Sequence, residues 1–430
     1  MKCIKGEDSW LKNGLIRQKV KNQQYRMSTF VVDLPIDCGR LLYNTVTGSI
    51  LFFESDQELQ NSKDILINNW FFIPVVDFDE FLWADFLRNK KRELSSRNPV
   101  RSYLVMTTMD CNARCFYCYE KGRKPITMAN DTANKVSDFI IANASTKKVK
   151  LSWFGGEPLV NSQAINIICE NLRRNSYNYV SHMISNGLLF SDNVIANALN
   201  LWNLKRIQIT IDGTEDRYLK IKSFKNSKGD EFHRVLNNIE SLLKNNISVS
   251  VRLNQNHDNT ADLLNLVDII KDKFSDFDNL SVYNRLLFDE EITPEIKNDY
   301  FNLKHKLRRT KLLKPKSRDA VKHSQCMADN DYSLVITPDG HIGKCEHFSE
   351  NHFIGSIYEK DFDCQVINQF KEKHEKLSIC STCALYPSCV RLKMCPSQLE
   401  QCQDFTREDL YDDLYFMMKS CYHQKLHSLR

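Results

Sequence analysis

Between about residue 100 and residue 300 the chain switches six times from a strand-like to a helix-like pattern, and few folds accommodate that. Apolar, β-rich runs stand at 103–109, 148–154, 178–185, 206–211, 247–253 and 279–288. Helical spacing fills 128–144, 162–174, 191–200, 230–245, 259–274 and 294–309. Alternation of this kind predicts a parallel sheet with crossover helices. Six units fall short of the eight that close a barrel, so the expected fold class is α/β, a partial (β/α)6 barrel. Sites on such barrels lie at the C-terminal ends of the strands.

The first of those strand ends carries Asp110-Cys111-Asn112-Ala113-Arg114-Cys115-Phe116-Tyr117-Cys118-Tyr119-Glu120. Simple buried thiols do not bunch in a polar loop. Two metal readings follow from the spacing. One is zinc completed by a distant fourth ligand; the other is an iron–sulfur cluster with one iron left open to a small molecule.

Composition narrows the setting. The 430 residues suffice for two or three domains with real cores, and 42% hydrophobic with 26% charged content is ordinarily globular. The net charge of +5, from 59 basic and 54 acidic residues, is a mild bias. No dense basic block with interleaved aromatics points to nucleic acid. The N-terminus has no apolar signal region, and the apolar run Trp70–Val76 is far too short to cross a membrane. Fifteen cysteines in such a chain favour metal or cluster ligation in a reducing cytoplasm over disulfides.

The second strand end reads Trp153-Phe154-Gly155-Gly156-Glu157-Pro158, where paired glycines permit close backbone approach and a carboxylate suits an ammonium group. Together, the C-x3-C-x-aromatic-C spacing and Gly-Gly-Glu-Pro resemble the radical S-adenosylmethionine (SAM) enzymes, which leaves the zinc reading little room. The resemblance implies that Cys111, Cys115 and Cys118 hold a [4Fe–4S] cluster whose fourth iron is chelated by SAM. It implies Tyr117 beside the adenine and Gly155, Gly156 and Glu157 at the SAM amino group. Ser185-Asn186, ending strand three, join the same cradle, as does Arg252, ending strand five and suited to a carboxylate. Gln208–Gly213 resembles a family segment that places Thr210 and Asp212 among the SAM-contacting residues. An arginine is common a dozen residues later; here the position is Lys222.

The C-terminal third holds eight clustered cysteines: Cys326, Cys345, Cys380, Cys383, Cys389, Cys395, Cys402 and Cys421. By spacing alone they fit two zinc knuckles or two clusters. Their order resembles the SPASM domain, which carries two auxiliary [4Fe–4S] clusters, except that five residues rather than three separate Cys389 from Cys395. The resemblance implies Cys326, Cys345 and Cys395 at the first cluster, which keeps an open iron or borrows a leftover cysteine. It implies Cys380, Cys383 and Cys389 at the second, completed by Cys402 or Cys421. Cys3, Cys38, Cys169 and Cys364 are read as unligated. Related sulfatase-maturating enzymes place a catalytic aspartate after the cysteine matching Cys345. Here Glu346 fills that slot as candidate base, with His347 competing and a solvated acid as the plain alternative.

Residues 1–97 read as a small α+β unit, with strands near 30–34, 40–44 and 49–53 and helices near 56–69 and 78–94. The unit is either a packing extension or a platform whose edge strand accepts a leader peptide. The expected domains are therefore 1–97 for peptide recognition, 98–310 for the partial barrel and 311–430 for a SPASM domain. The resemblance implies SAM, three [4Fe–4S] clusters, a precursor-peptide substrate and a low-potential electron donor such as ferredoxin or flavodoxin. The expected activity is a peptide maturase that installs a thioether or carbon–carbon crosslink. The alternatives are formylglycine formation on sulfatases, peptide epimerisation, and a non-catalytic metal-stabilised scaffold.

Overall fold

The computed structural model describes residues 1–11, 21–97, 99–288, 290–316, 320–347, 352–395 and 402–428. Parts of the basic connector Lys304–Lys322 and of the stretch between Cys395 and Cys402 lie outside them. The chain forms two compact units. One comprises Met1–Asn98, Pro315–Asp329 and Phe370–Arg430; the other comprises Pro99–Lys314 and Asn330–Gln369.

The first unit opens with β1 (Lys2–Lys5), β2 (Tyr25–Met27), β3 (Val31–Ile36), β4 (Gly39–Asn44) and β5 (Ile50–Phe53). Then come α1 (Asp56–Asn61), α2 (Lys63–Asn68), β6 (Phe72–Pro74) and α3 (Glu80–Ser96). Four strands make an antiparallel sheet in the order β1-β5-β4-β3, and β2 pairs with β6. Both edges of the sheet are blunted. Pro35 sits in β3, where it has no N–H to offer, and β1 carries two lysines and a register shift.

The second unit continues with β7 (Arg101–Thr108), α4 (Asn130–Asn143), β8 (Lys148–Gly155), α5 (Ser162–Arg174), β9 (Asn178–Ser185) and α6 (Asp192–Asn200). Then follow β10 (Leu204–Thr210), α7 (Glu215–Lys222), α8 (Glu231–Lys244), β11 (Ser248–Gln255), α9 (Thr260–Phe274), β12 (Leu280–Leu286) and α10 (Pro294–Arg309). Six parallel strands lie in sequence order, β7 to β12, giving the partial α/β barrel. The helices cover it with one apolar stripe each, as α8 does with Phe232, Val235, Leu236, Ile239 and Leu243 buried.

Sequence periodicity stops at β12, but the sheet does not. β13 (Ser333–Ile336) adds parallel to β7, and β14 (His341–Gly343) and β15 (Gly355–Ser356) extend it antiparallel. These short strands carry the segment containing Cys345 into the barrel unit. After α11 (Cys364–Lys371) the chain ends in α12 (Asp404–His427). Leu414, Met417, Met418 and Tyr422 of α12 pack on Val32, Leu41, Tyr43, Ile50 and Phe52 of the N-terminal sheet, with Ala384 and Leu385 in the same core. The first and last parts of the chain therefore build one hydrophobic core.

Candidate active site

The cysteine loop leaves β7 and is tied down almost entirely by its backbone. The Cys118 N–H donates to the Cys115 carbonyl at 3.2 Å, and the Met109 N–H donates to Ile126 at 2.7 Å. Asp110 turns the loop by accepting from the Cys111 N–H at 2.8 Å. A strap following α7 holds the loop from outside. The Arg114 N–H donates to the Lys222 carbonyl and the Lys225 N–H to the Asn112 carbonyl, each at 2.8 Å. The Lys225 ammonium lies 2.8 Å from the Asp110 carboxylate and holds its pKa below the usual range.

Gly155 and Gly156 make room for this loop, not only for a ligand. A Cβ on Gly155 would stand 2.1 Å from the Thr108 carbonyl oxygen, and one on Gly156 2.3 Å from that of Asp110. At this contact the Gly156 N–H donates to Thr108 at 3.0 Å and the Glu157 N–H to Asp110 at 2.9 Å. The Gly155 φ of +122° is itself one that side chains rarely adopt.

Glu157 is wholly buried, and its carboxylate accepts from the Ser185 hydroxyl at 2.9 Å, the Asn186 N–H at 2.7 Å and the Leu159 N–H at 3.1 Å. Burial pushes its pKa up to about 7 against the pull of those donors. Glu157 thus clamps the end of β9 to the end of β8. The Asn186 amide then donates to the Asn112 side chain at 2.7 Å, beside Cys111.

A second buried group stands behind Tyr117. Its hydroxyl donates to the Asp212 carboxylate at 2.8 Å, Lys222 pairs with Asp212 at 2.8 Å, and the Asn254 amide donates to it at 3.0 Å. Burial alone would lower the Lys222 pKa, but Asp212 together with Tyr117, Cys115 and Tyr218 outweighs it and holds the ammonium well above its usual range. Arg252 donates to Asn254 at 2.9 Å, and Thr210 stands opposite it in the β10–β11 register. Lys222 therefore occupies the expected place with its charge already committed to Asp212.

Cys111, Cys115, Cys118 and Gly156 line one cavity of about 300 Å³. The Asn112 amide nitrogen, next to Cys111, is buried with no partner. Three convergent thiols and an orphaned donor fit a cluster with a chelating ligand. Nearby, the His347 ring lies 4.4 Å from the Tyr119 ring, tilted to it, and edge-on to that of Phe288 at 5.4 Å. Burial lowers the His347 pKa, with Arg123 and Arg252 acting in the same sense and Glu346 against them. Glu346 and His347 are thus brought to the cysteine loop by β14, a contact that sequence spacing had no means of registering.

In the first unit, Cys380, Cys383, Cys389 and Cys402 line a single cavity of about 370 Å³. The Cys389 thiol is raised by burial and then by Cys383, Cys380 and Cys402, which places the four together. Cys421 lies elsewhere, on α12 against the sheet core, its sulfur 3.7 Å from that of Met417. Cys326 and Cys395 belong to the first unit and Cys345 to the second. Four of the candidate ligands share a further pattern. Cys111, Cys326 and Cys345 each accept an N–H···S bond from the residue two positions on, at 3.3–3.4 Å, and Cys383 does so from Leu385. Such bonds to sulfur tune iron–sulfur centres. None of the fifteen cysteines is joined in a disulfide.

Residues 105–270 match the radical SAM superfamily. A GTP 3′,8-cyclase of Clostridium perfringens (strain 13) is 26% identical over 271 residues, which is 57% of this chain and 80% of that protein. A probable GTP 3′,8-cyclase of Methanocaldococcus jannaschii is 32% identical over 149 residues, 34% of this chain and 46% of the relative. Among solved structures, a histidine-tagged anSMEcpe with bound AdoMet (that is, SAM) aligns with a TM-score of 0.57 at 14% identity, covering 76% of this chain and all of that one. Streptococcus suis SuiB bound to its precursor peptide SuiA aligns at 0.52 and 13%, covering 88% of this chain and 99% of that one. Residues 105–270 thus carry a radical SAM domain, and the fold and the cysteine loop are of that class.

Proposed function

We propose that this enzyme is a peptide maturase that removes hydrogen from a ribosomally made peptide and installs a thioether or carbon–carbon crosslink. The observation that carries the reading is a second set of four thiols around one cavity, in a unit distinct from the radical SAM loop. An enzyme that only had to start a radical would need no such set; one that forms a bond by net oxidation needs somewhere to place electrons. Support for a peptide comes from the fold neighbours, since anSMEcpe was solved with the Kp18Cys peptide and SuiB with SuiA.

In this reading Cys111, Cys115 and Cys118 hold the cluster that engages SAM. A cluster held by these thiols would supply the electron for reductive cleavage of SAM and, through it, hydrogen abstraction from the substrate. Tyr117, Gly155, Gly156, Glu157, Ser185, Asn186, Thr210, Asp212 and Arg252 shape the SAM cradle. Glu157, Ser185 and Asp212 do so from behind, by fixing strand ends. Cys326, Cys345 and Cys395 hold one auxiliary centre, and Cys380, Cys383, Cys389 and Cys402 the other. The N-terminal unit recognises the peptide, a ferredoxin or flavodoxin supplies electrons, and the enzyme works in the cytoplasm. No helix among the described residues is long and apolar enough to cross a membrane.

Two tests follow. Cys402→Ala is expected to lower the iron content of reconstituted enzyme, whereas Cys421→Ala keeps it and costs stability instead, about 1–3 kcal/mol for a half-buried core thiol. Equal iron in both variants would return the fourth ligand to question. Anaerobic reaction with a short peptide encoded beside the gene is expected to give a product lighter by two hydrogens. Unchanged mass with solvent deuterium uptake would mean epimerisation instead. Glu346→Gln is expected to cleave SAM yet form little product, because the base beside the substrate is gone. Normal turnover by that variant would remove Glu346 from the mechanism.

A further inference from the structure

The loop that carries Cys380, Cys383 and Cys389 is not self-supporting. Its 3₁₀ turn at Tyr386–Ser388 points successive carbonyls to one side. There the Arg88 guanidinium, on α3, meets them. Its Nε donates to the Pro387 carbonyl at 3.3 Å, and its Nη2 donates to those of Cys389, at 3.1 Å, and Tyr386. The guanidinium also lies 4.4 Å over the Tyr386 ring. Asp85, one turn earlier on α3, fixes it from behind through Nη1 at 2.7 Å and accepts from the Tyr386 hydroxyl at 3.1 Å. The Arg88 side chain is 12% exposed and lines the same cavity as the four thiols.

We infer that Arg88 is a positioning residue for the second auxiliary centre and raises its reduction potential, so that α3 is a working part of that centre and not only of a peptide-recognition unit. This rests on the reading that Cys380, Cys383, Cys389 and Cys402 hold an iron–sulfur cluster. A planar fork reaches three carbonyls at once, which a lysine ammonium on a flexible stem does not. Its charge matters as well as its shape. A cation close to a thiolate-bound centre favours the more negative, reduced state, and a nearly buried cation is screened less than an exposed one. Arg92 and Lys373 line the same cavity but are exposed, so their influence is weaker.

The test uses reconstituted full-length enzyme, with two readouts: redox titration followed by electron paramagnetic resonance, and iron retention against a chelator. Arg88→Met is expected to shift the auxiliary centre to lower potential and to weaken iron retention about 10–100-fold, as loss of a supporting residue around a metal site does. Arg88→Lys keeps the charge, so its potential stays near the parent's while retention falls nearly as far. Arg92→Met serves as the control and moves both readouts little. Wild-type potential and retention in Arg88→Met would overturn the proposal. Should that variant not accumulate, wild-type retention in Arg88→Lys would overturn it equally. A different failure would sink the underlying reading alone: parent and Cys380→Ala/Cys383→Ala/Cys389→Ala enzymes with identical iron and spectra, meaning that no cluster is held there.

Discussion

Cys115→Ala is expected to abolish 5′-deoxyadenosine formation while leaving the protein folded and its auxiliary centres loaded. The alanine removes the thiol and its contact with Tyr117 but not the backbone bonds that shape the loop, because those run through the Cys115 carbonyl, the Arg114 and Met109 N–H groups and the Lys225 strap. With two of three ligands left, the loop lacks the donor set for a cluster with one open iron. Iron should fall by about four per chain out of roughly twelve, if each of three centres is a [4Fe–4S] cluster. The measurement is anaerobic turnover with dithionite, with deoxyadenosine quantified against time and iron counted in the same sample. Deoxyadenosine at the parent rate would refute the assignment of this loop, whatever the iron content. Loss of all iron would mean that the loop and the auxiliary sites load as one cooperative unit.

The barrel was nearly all legible in the sequence because each of its elements carries a local signal. Strands such as Asn178–Ser185 and helices such as Ser162–Arg174 fall where periodicity put them, since burial of one stripe or one face writes itself into spacing. What escaped has no such signal. β13 is four residues long and becomes a strand only because β7 offers an open edge beside it. α12 buries Leu414, Met417, Met418 and Tyr422 amid aspartates and lysines, so no clean stripe announces it, and Cys421 within it read as a ligand candidate.

The same division holds at the site. Cys111, Cys115 and Cys118 are close in sequence, so their convergence was readable. Asp212 with Lys222, Lys225 with Asp110, and Arg88 with the Cys389 carbonyl are tertiary pairs, and no spacing rule registers them. The glycine pair serves close approach, though not of a ligand alone. Close approach is indeed required at Gly155 and Gly156, but the nearest groups are the chain's own Thr108 and Asp110 carbonyls.

The largest stability effect is expected from splitting the Asp212–Lys222 pair. Both side chains are almost fully buried, at 1% and 3% exposure, and each is the other's principal countercharge. Asp212→Asn would leave the Lys222 ammonium in a low-dielectric site without its partner, and removal of one member of a buried pair costs about 3–5 kcal/mol. For a unit of this size that corresponds to a loss on the order of 10 °C in melting temperature. Lys222→Met should cost less. Asp212 would keep the Tyr117 hydroxyl and the Asn254 amide, so the carboxylate remains solvated by donors. The double variant Asp212→Asn/Lys222→Met should then recover part of the loss, because no unpaired charge remains. Calorimetry on the three variants decides the matter. The diagnostic order is Asp212→Asn least stable, with the double variant above it. Additive losses would mean that the two groups do not act as a pair. Iron content should fall along with stability in Asp212→Asn, since the same carboxylate holds the hydroxyl of Tyr117, which stands between Cys115 and Cys118 in the sequence, and a loop that loses that hold presents its thiols in more than one arrangement.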